Sequence, residues 1–140
     1  MSNVRGENLV YMGPRSTPDL TGKEGMFVKP GTTALSLVAP AADTDRVNGV
    51  VVDGRTAKAG SSIVSLKDSG LVVVRAIAAI AVNVEVAPDV TAVSAADPLG
   101  PGRGKTAATG DTVVGNARTA ASAKDDFFLM EPVTSAYAKA

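Results

Sequence analysis

Val50-Val-Val-Asp-Gly-Arg-Thr-Ala-Lys-Ala-Gly-Ser-Ser-Ile-Val-Ser-Leu-Lys-Asp-Ser-Gly-Leu-Val-Val-Val-Arg75 is the stretch whose reading decides the fold. It holds three short β-branched runs, Val50 to Val52, Ile63 to Leu66 and Leu71 to Val74, separated by Gly, Ser, Asp and Lys. Nothing in it recurs at the three-and-four spacing of an amphipathic helix. Short Val/Ile runs punctuated by turn residues predict successive strands of an antiparallel meander, with turns at Lys58-Ala-Gly60 and Asp68-Ser-Gly70.

Working outward, Val51-Val-Asp-Gly-Arg-Thr-Ala57 has a fainter copy in Val114-Gly-Asn-Ala-Arg-Thr-Ala120, and Ile63-Val-Ser-Leu66 then faces Phe127-Phe-Leu-Met130. The copy reads either as a second strand–turn–strand unit or as coincidence among Ala, Thr and Val. Upstream, Gly25-Met-Phe-Val-Lys29 predicts a strand stopped by Pro30-Gly31, and Asn48-Gly49 a two-residue hairpin turn, because both central positions of that turn take positive φ. Ala41 to Arg46 is a polar loop. In Ala76-Ile-Ala-Ala-Ile-Ala-Val-Asn-Val-Glu-Val86 the Val82, Val84, Val86 alternation predicts a strand, while Ala76 to Ala81 fits helix or strand. Pro88, Pro98 and Pro101 exclude long regular elements before Lys105, and strands follow near Thr112 to Ala117 and Asp126 to Glu131.

The chain thus divides into an extended arm (1–24), a β domain (25–131) and a tail (132–140). The fold expected is mainly β, a compact antiparallel barrel-like domain with little helix. Of 140 residues, 45% are apolar but only 4% aromatic, and Trp is absent. An Ala- and Val-rich core has little bulk per residue, which points to association with other chains as a source of stability.

Composition also excludes function classes. Fourteen basic and fourteen acidic residues give a net charge of zero without runs of either sign. Nucleic-acid binding draws on clustered Lys and Arg, so nucleic acid is not an expected partner. No 18-residue apolar run is present, so a spanning helix is not expected, and Met1 to Asn8 lacks the apolar segment of a secretory signal. With neither His nor Cys, most zinc and copper sites and the Ser-His and Cys-His nucleophiles are ruled out.

The remaining candidates for chemistry are weak. Gly100-Pro-Gly-Arg-Gly-Lys-Thr106 approximates a phosphate-binding loop, but Leu99 occupies the place of the first glycine and neither flanking element is evident, so it reads as a surface loop. Asp43 and Asp45, with Asn48-Gly49 after them, miss calcium-loop spacing, and both this pair and Asp125-Asp126 read as solvated turn residues. No catalytic residue, metal ligand or cofactor is expected. Arg55 and Arg118, the basic members of the two related segments, are candidates for polar contacts between subunits or for a solvated strand face.

The pattern as a whole, Gly49-Val-Val-Val-Asp-Gly-Arg-Thr-Ala-Lys-Ala-Gly-Ser-Ser-Ile-Val-Ser-Leu66, then Gly70-Leu-Val-Val-Val74, then Gly110-Asp-Thr-Val-Val-Gly-Asn-Ala-Arg-Thr-Ala-Ala-Ser-Ala-Lys-Asp-Asp-Phe-Phe-Leu129, resembles the head decoration, or capsid cement, proteins of tailed bacteriophages. The resemblance covers roughly residues 25–131; the Pro/Gly-rich N-terminal segment and loop 98–104 depart from it. It implies a tulip-like β domain on the outer capsid surface, a homotrimer that clamps neighbouring major capsid proteins. On this reading Leu9, Val10, Tyr11 and Met12 add as a strand to a capsid protein, and Met26, Phe27 and Val28 help seat the domain. Deleting residues 1–24 should then abolish capsid binding and leave the domain folded. Two other classes share parts of the pattern: a tail or fibre component, expected as an elongated oligomer, and a small enzyme or carbohydrate-binding domain, which would need a cleft with convergent polar groups.

Overall fold

The computed structural model describes residues 9–12, 20–32, 36–53, 61–66, 70–92 and 96–140. Ten strands follow in order: β1 (Leu9–Met12), β2 (Phe27–Pro30), β3 (Leu37–Val38), β4 (Gly49–Asp53), β5 (Ser61–Ser65), β6 (Val72–Arg75), β7 (Glu85–Pro88), β8 (Gly104–Thr106), β9 (Thr112–Ala117) and β10 (Phe127–Ala138). They form two five-stranded sheets, ordered β1-β5-β4-β2-β3 and β6-β10-β9-β7-β8. Every pairing of named strands is antiparallel. No helix occurs among the described residues. The mainly β, antiparallel expectation holds, although both sheets are open and neither closes into a barrel.

One apolar cluster joins the sheets. Phe27, Val50, Val64 and Leu66 from the first meet Val72, Val74, Val86, Val114, Phe128 and Met130 from the second. Because side chains alternate along a strand, the neighbours of these residues face the other way. Val28, Val51 and Ile63 accordingly join Leu20 and Leu37 in a second cluster, on the opposite face of the first sheet. Leu20, only 3% exposed, brings the N-terminal segment into this cluster.

The three runs that decide the fold are strands, but not one meander. β4 and β5 pair as expected, with Val50 opposite Val64 and Val51 opposite Ile63. The chain then passes to the other sheet, where β6 pairs with β10. Leu66 and Val72 on either side of this passage both point into the shared core.

Asn48-Gly49 is not a turn. Gly49 opens β4, between β2 and β5, and a Cβ there would lie 2.7 Å from Ile63 Cδ1 and 2.9 Å from the Val64 carbonyl oxygen. Glycine is required for close approach of strands and not for positive φ. The strand expected over Val82 to Val86 is displaced to β7, because Asn83 adopts φ 71° and turns the chain. Asn tolerates that left-handed conformation better than other non-glycine residues, so the period-two pattern around it does not mark a strand. Ala76 to Ala81 is neither helix nor long strand; Ala76 bridges Gly104 and Ile80 bridges Ala121.

The residues read as a tail continue β10 to Ala138, with Tyr137 opposite Val113 and Ala138 opposite Thr112. A register shift between Pro132 and Tyr137 absorbs the proline, which has no N–H to give the ladder. The two related segments both belong to hairpins, β4–β5 and β9–β10, yet Val51 lies in the cluster around Leu20 while its counterpart Val114 lies between the sheets. A one-residue slip exchanges the faces of a strand, so the matching residues are not structurally equivalent.

Candidate interaction face

The second sheet is anchored by a charge network in the loop that sequence reading assigned to the surface. Gly102, Arg103 and Gly104 are buried, and Arg103 is only 1% exposed. Gly102 has φ 126° and its absent Cβ would lie 3.0 Å from the Phe27 carbonyl oxygen, so a side chain would be both strained and crowded. Phe27 N–H donates to the Gly102 carbonyl at 2.7 Å, and Asp89 N–H to that of Arg103 at 2.7 Å.

With its backbone so fixed, the Arg103 side chain is enclosed by carboxylates. Its Nη1 donates to Asp97 Oδ2 at 2.9 Å, Nη2 to Asp97 Oδ1 at 3.2 Å and Nε to Asp125 Oδ1 at 2.6 Å. Lys124 Nζ reaches Asp97 Oδ2 at 2.9 Å. Lys124 and Arg103 together hold the Asp97 carboxyl down at about 2, well below its ordinary value. Burial by itself would push the Arg103 pKa down, but the hydrogen bonds it donates to Asp125 and Asp97 outweigh burial and raise the pKa. This is a satisfied structural network, and no buried side-chain polar atom among the described residues lacks a partner.

The other acidic residues are likewise committed to local structure. Asp45 accepts from Lys29 Nζ at 2.7 Å and from Ala41 and Ala42 N–H, and the Lys29 contact is the main cause of its pKa falling to about 2. Asp126 accepts from Ser122 Oγ at 2.7 Å, which lowers its pKa, and from the N–H groups of Ser122 and Ala123. A shallow depression of about 440 Å³ borders Ser122, Asp125, Asp126 and Phe127, but both carboxylates already have these partners. The described residues contain no group of three or more Asp or Glu placed to hold a metal ion.

On the outer side of the same sheet the chemistry is apolar. β6 is an edge strand, and Leu71 and Val73 are 54% and 51% exposed. Val73 lies opposite Leu129, and Arg75 opposite Phe127, which is 48% exposed. The Arg75 guanidinium stacks over the Phe127 ring, 4.9 Å from its centroid, while its Nε donates to the Glu24 carbonyl at 3.0 Å. Arg118 and Glu131, each half-exposed, pair farther along. Leu71, Val73, Leu129 and Phe127 therefore form one apolar strip with a cation at its end. Isolated exposed apolar residues are ordinary, but a contiguous strip on a rigid sheet is the mark of an interaction surface.

The residues expected to seat the domain fall elsewhere. Met26, Phe27 and Val28 are at most 2% exposed, their side chains covered by the chain itself. β2 pairs with β3 on one side and β4 on the other, and its two faces lie in two apolar clusters. Leu9 to Met12 form β1, paired residue for residue with Val64 to Ser61 of β5. That segment is an edge strand of its own sheet. Arg118 finds its partner within the chain, in Glu131. Arg55 lies outside the described residues. The strip itself was missed, although adjacent Phe127-Phe128 and the unbroken Leu71 to Val74 carry the signal: in a strand every second residue of such a run must point outward.

No family model matches the chain, and no curated protein matches it.

Proposed function

We propose that this chain is a structural protein of a virus particle, binding the outer surface of a tailed-phage head and cementing neighbouring capsid subunits without chemistry. The observation that carries the reading is the strip of half-exposed Leu71, Val73 and Phe127, with the partly buried Leu129 beside Val73, on a sheet tied at its Phe127 end to the Arg103 network. A cement needs contact area on a stiff support, and two sheets sharing one core supply the support. The resemblance of residues 25–131 to capsid decoration proteins supports the same role, with a homotrimer as the assembly and the capsid exterior as the location.

Heads assembled without the chain should open at lower temperature than heads carrying it, and adding the purified protein should restore their resistance. Heads of equal thermal resistance with and without it would refute the cementing role.

A further inference from the structure

Asn48-Gly49 has no part in the interaction face, yet its chemistry is unlike that of any other asparagine in the chain. Of five asparagines only Asn48 precedes glycine; the others precede Val4, Leu9, Val84 and Ala117. An asparagine deamidates when the amide nitrogen of the next residue, having lost its proton to base, attacks the side-chain Cγ. The new N–C bond closes a five-membered succinimide, and the side-chain nitrogen takes up a proton and leaves as ammonia. Water then opens the ring. Breaking the new bond gives aspartate; breaking the original peptide bond gives isoaspartate, in which the main chain runs through the side chain and gains a methylene. Glycine favours the attack because it has no Cβ to shield its nitrogen or restrict its backbone.

The fold withholds the nucleophile. Asn48 is exposed but Gly49 is buried, paired with Val28 on one side and Ser65 on the other. Asn48 N–H donates to the Val28 carbonyl at 3.0 Å, and the Asn48 carbonyl accepts from Leu66 N–H at 3.1 Å. The segment that must turn for the ring to close is therefore held to β2 on one side and to the end of β5 on the other. Base reaches the Gly49 amide only when β4 parts from these neighbours, which is also what hydrogen exchange there requires. We propose that Asn48 is a modification site gated by opening of the first sheet: the folded chain keeps the amide, and a chain whose β4 comes loose converts it, in part to isoaspartate. The added methylene falls in the backbone just before Gly49 and Val50, where the register sets Val50 opposite Phe27 and Val64. All three side chains lie in the core shared by the two sheets. A chain carrying isoaspartate therefore does not regain the sheet, and its opening becomes irreversible.

The test is to hold the purified full-length chain in one mildly alkaline buffer, with and without guanidinium chloride, following Asn48 by peptide mass mapping and the Gly49 amide by hydrogen exchange. The folded chain should convert Asn48 at least about ten-fold more slowly than the unfolded one, and in sub-denaturing guanidinium conversion and Gly49 exchange should rise together. Asn48→Gln, a change at an exposed side chain, should keep the thermal transition and remove the conversion, because the larger ring closes far more slowly. Should that variant melt lower, its conversion in the guanidinium-unfolded state still decides the site. On removal of guanidinium the aspartate form should recover the parent's transition and the isoaspartate form should not. Equal rates in folded and unfolded chains would overturn the gating. Unfolded chains that convert another asparagine first would overturn the site, and an isoaspartate form that melts like the parent would overturn its consequence for the sheet.

Discussion

Arg103 is the residue on which the second sheet depends most. A guanidinium this buried is tolerable only because Asp97 and Asp125 satisfy it, and removing one partner of such a set leaves charges without compensation. Arg103→Ala is expected to cost about 3–5 kcal/mol in urea unfolding. Nothing in the sequence marks Arg103 as buried, since arginine in a Gly/Pro-rich loop is ordinarily solvated. The available signal was the pair of flanking glycines, Gly102 and Gly104, whose backbones approach Phe27 and Val74 too closely for a side chain. Gly102→Ala should cost about 1–3 kcal/mol by the same measurement, from its backbone conformation.

The carboxylates fix the response to acid. Asp45 and Asp97 titrate at about 2 in the folded chain, and the values for Glu85 and Asp126 are also lowered. For Glu85 the cause is hydrogen bonding by Lys139 first and Tyr137 second. In the unfolded chain such groups titrate near 4. A group whose folded value is depressed contributes stability above its unfolded value and loses that contribution as pH falls toward the folded one. The melting temperature should therefore be level from neutral pH to about 5 and fall steadily between about pH 4 and 2. A melting temperature unchanged across that lower interval would contradict these ion pairs.

Among the elements, the N-terminal segment changes role most between sequence and structure. With Pro and Gly at intervals and few apolar residues it reads as an arm for another protein, because pairing partners 50 residues away leave no local trace. In the structure β1 completes the first sheet against β5, and Leu20 fills the cluster with Val28, Leu37, Val51 and Ile63. Deleting residues 1–24 should thus destabilise the domain and not merely unhook it. Leu20→Ala should cost about 2–5 kcal/mol, read as a lower urea midpoint. Strand existence was legible for β2, β4, β5, β6 and β9 because Val and Ile runs bounded by turn residues have few alternatives. Sheet membership was not, because a strand's partner depends on which core it completes. β10 was cut short at Glu131 because Pro132 reads as a stop, whereas the register shift lets the strand pass it.

At the scale of the whole molecule, two sheets with a shared core present a rigid body whose outer strip is apolar at Leu71, Val73 and Phe127. Of the residues first expected to meet a partner, Met26 to Val28, all are buried; Phe27 lies in the core between the sheets and Val28 in the cluster on the other face of the first sheet. Both assignments follow from one fact of strand geometry: a run of apolar residues must divide between two faces, and only packing decides which face is covered. If the chain acts as a trimer, sedimentation should give a species of three times the 14.1 kDa chain mass. The account is tested most directly by a reconstruction of heads carrying the chain, at a resolution that separates strands. It predicts the domain on the outer surface with the face of β6 and β10 against the capsid protein; density on the outer surface with that strip turned to solvent, or no density at all, would contradict it.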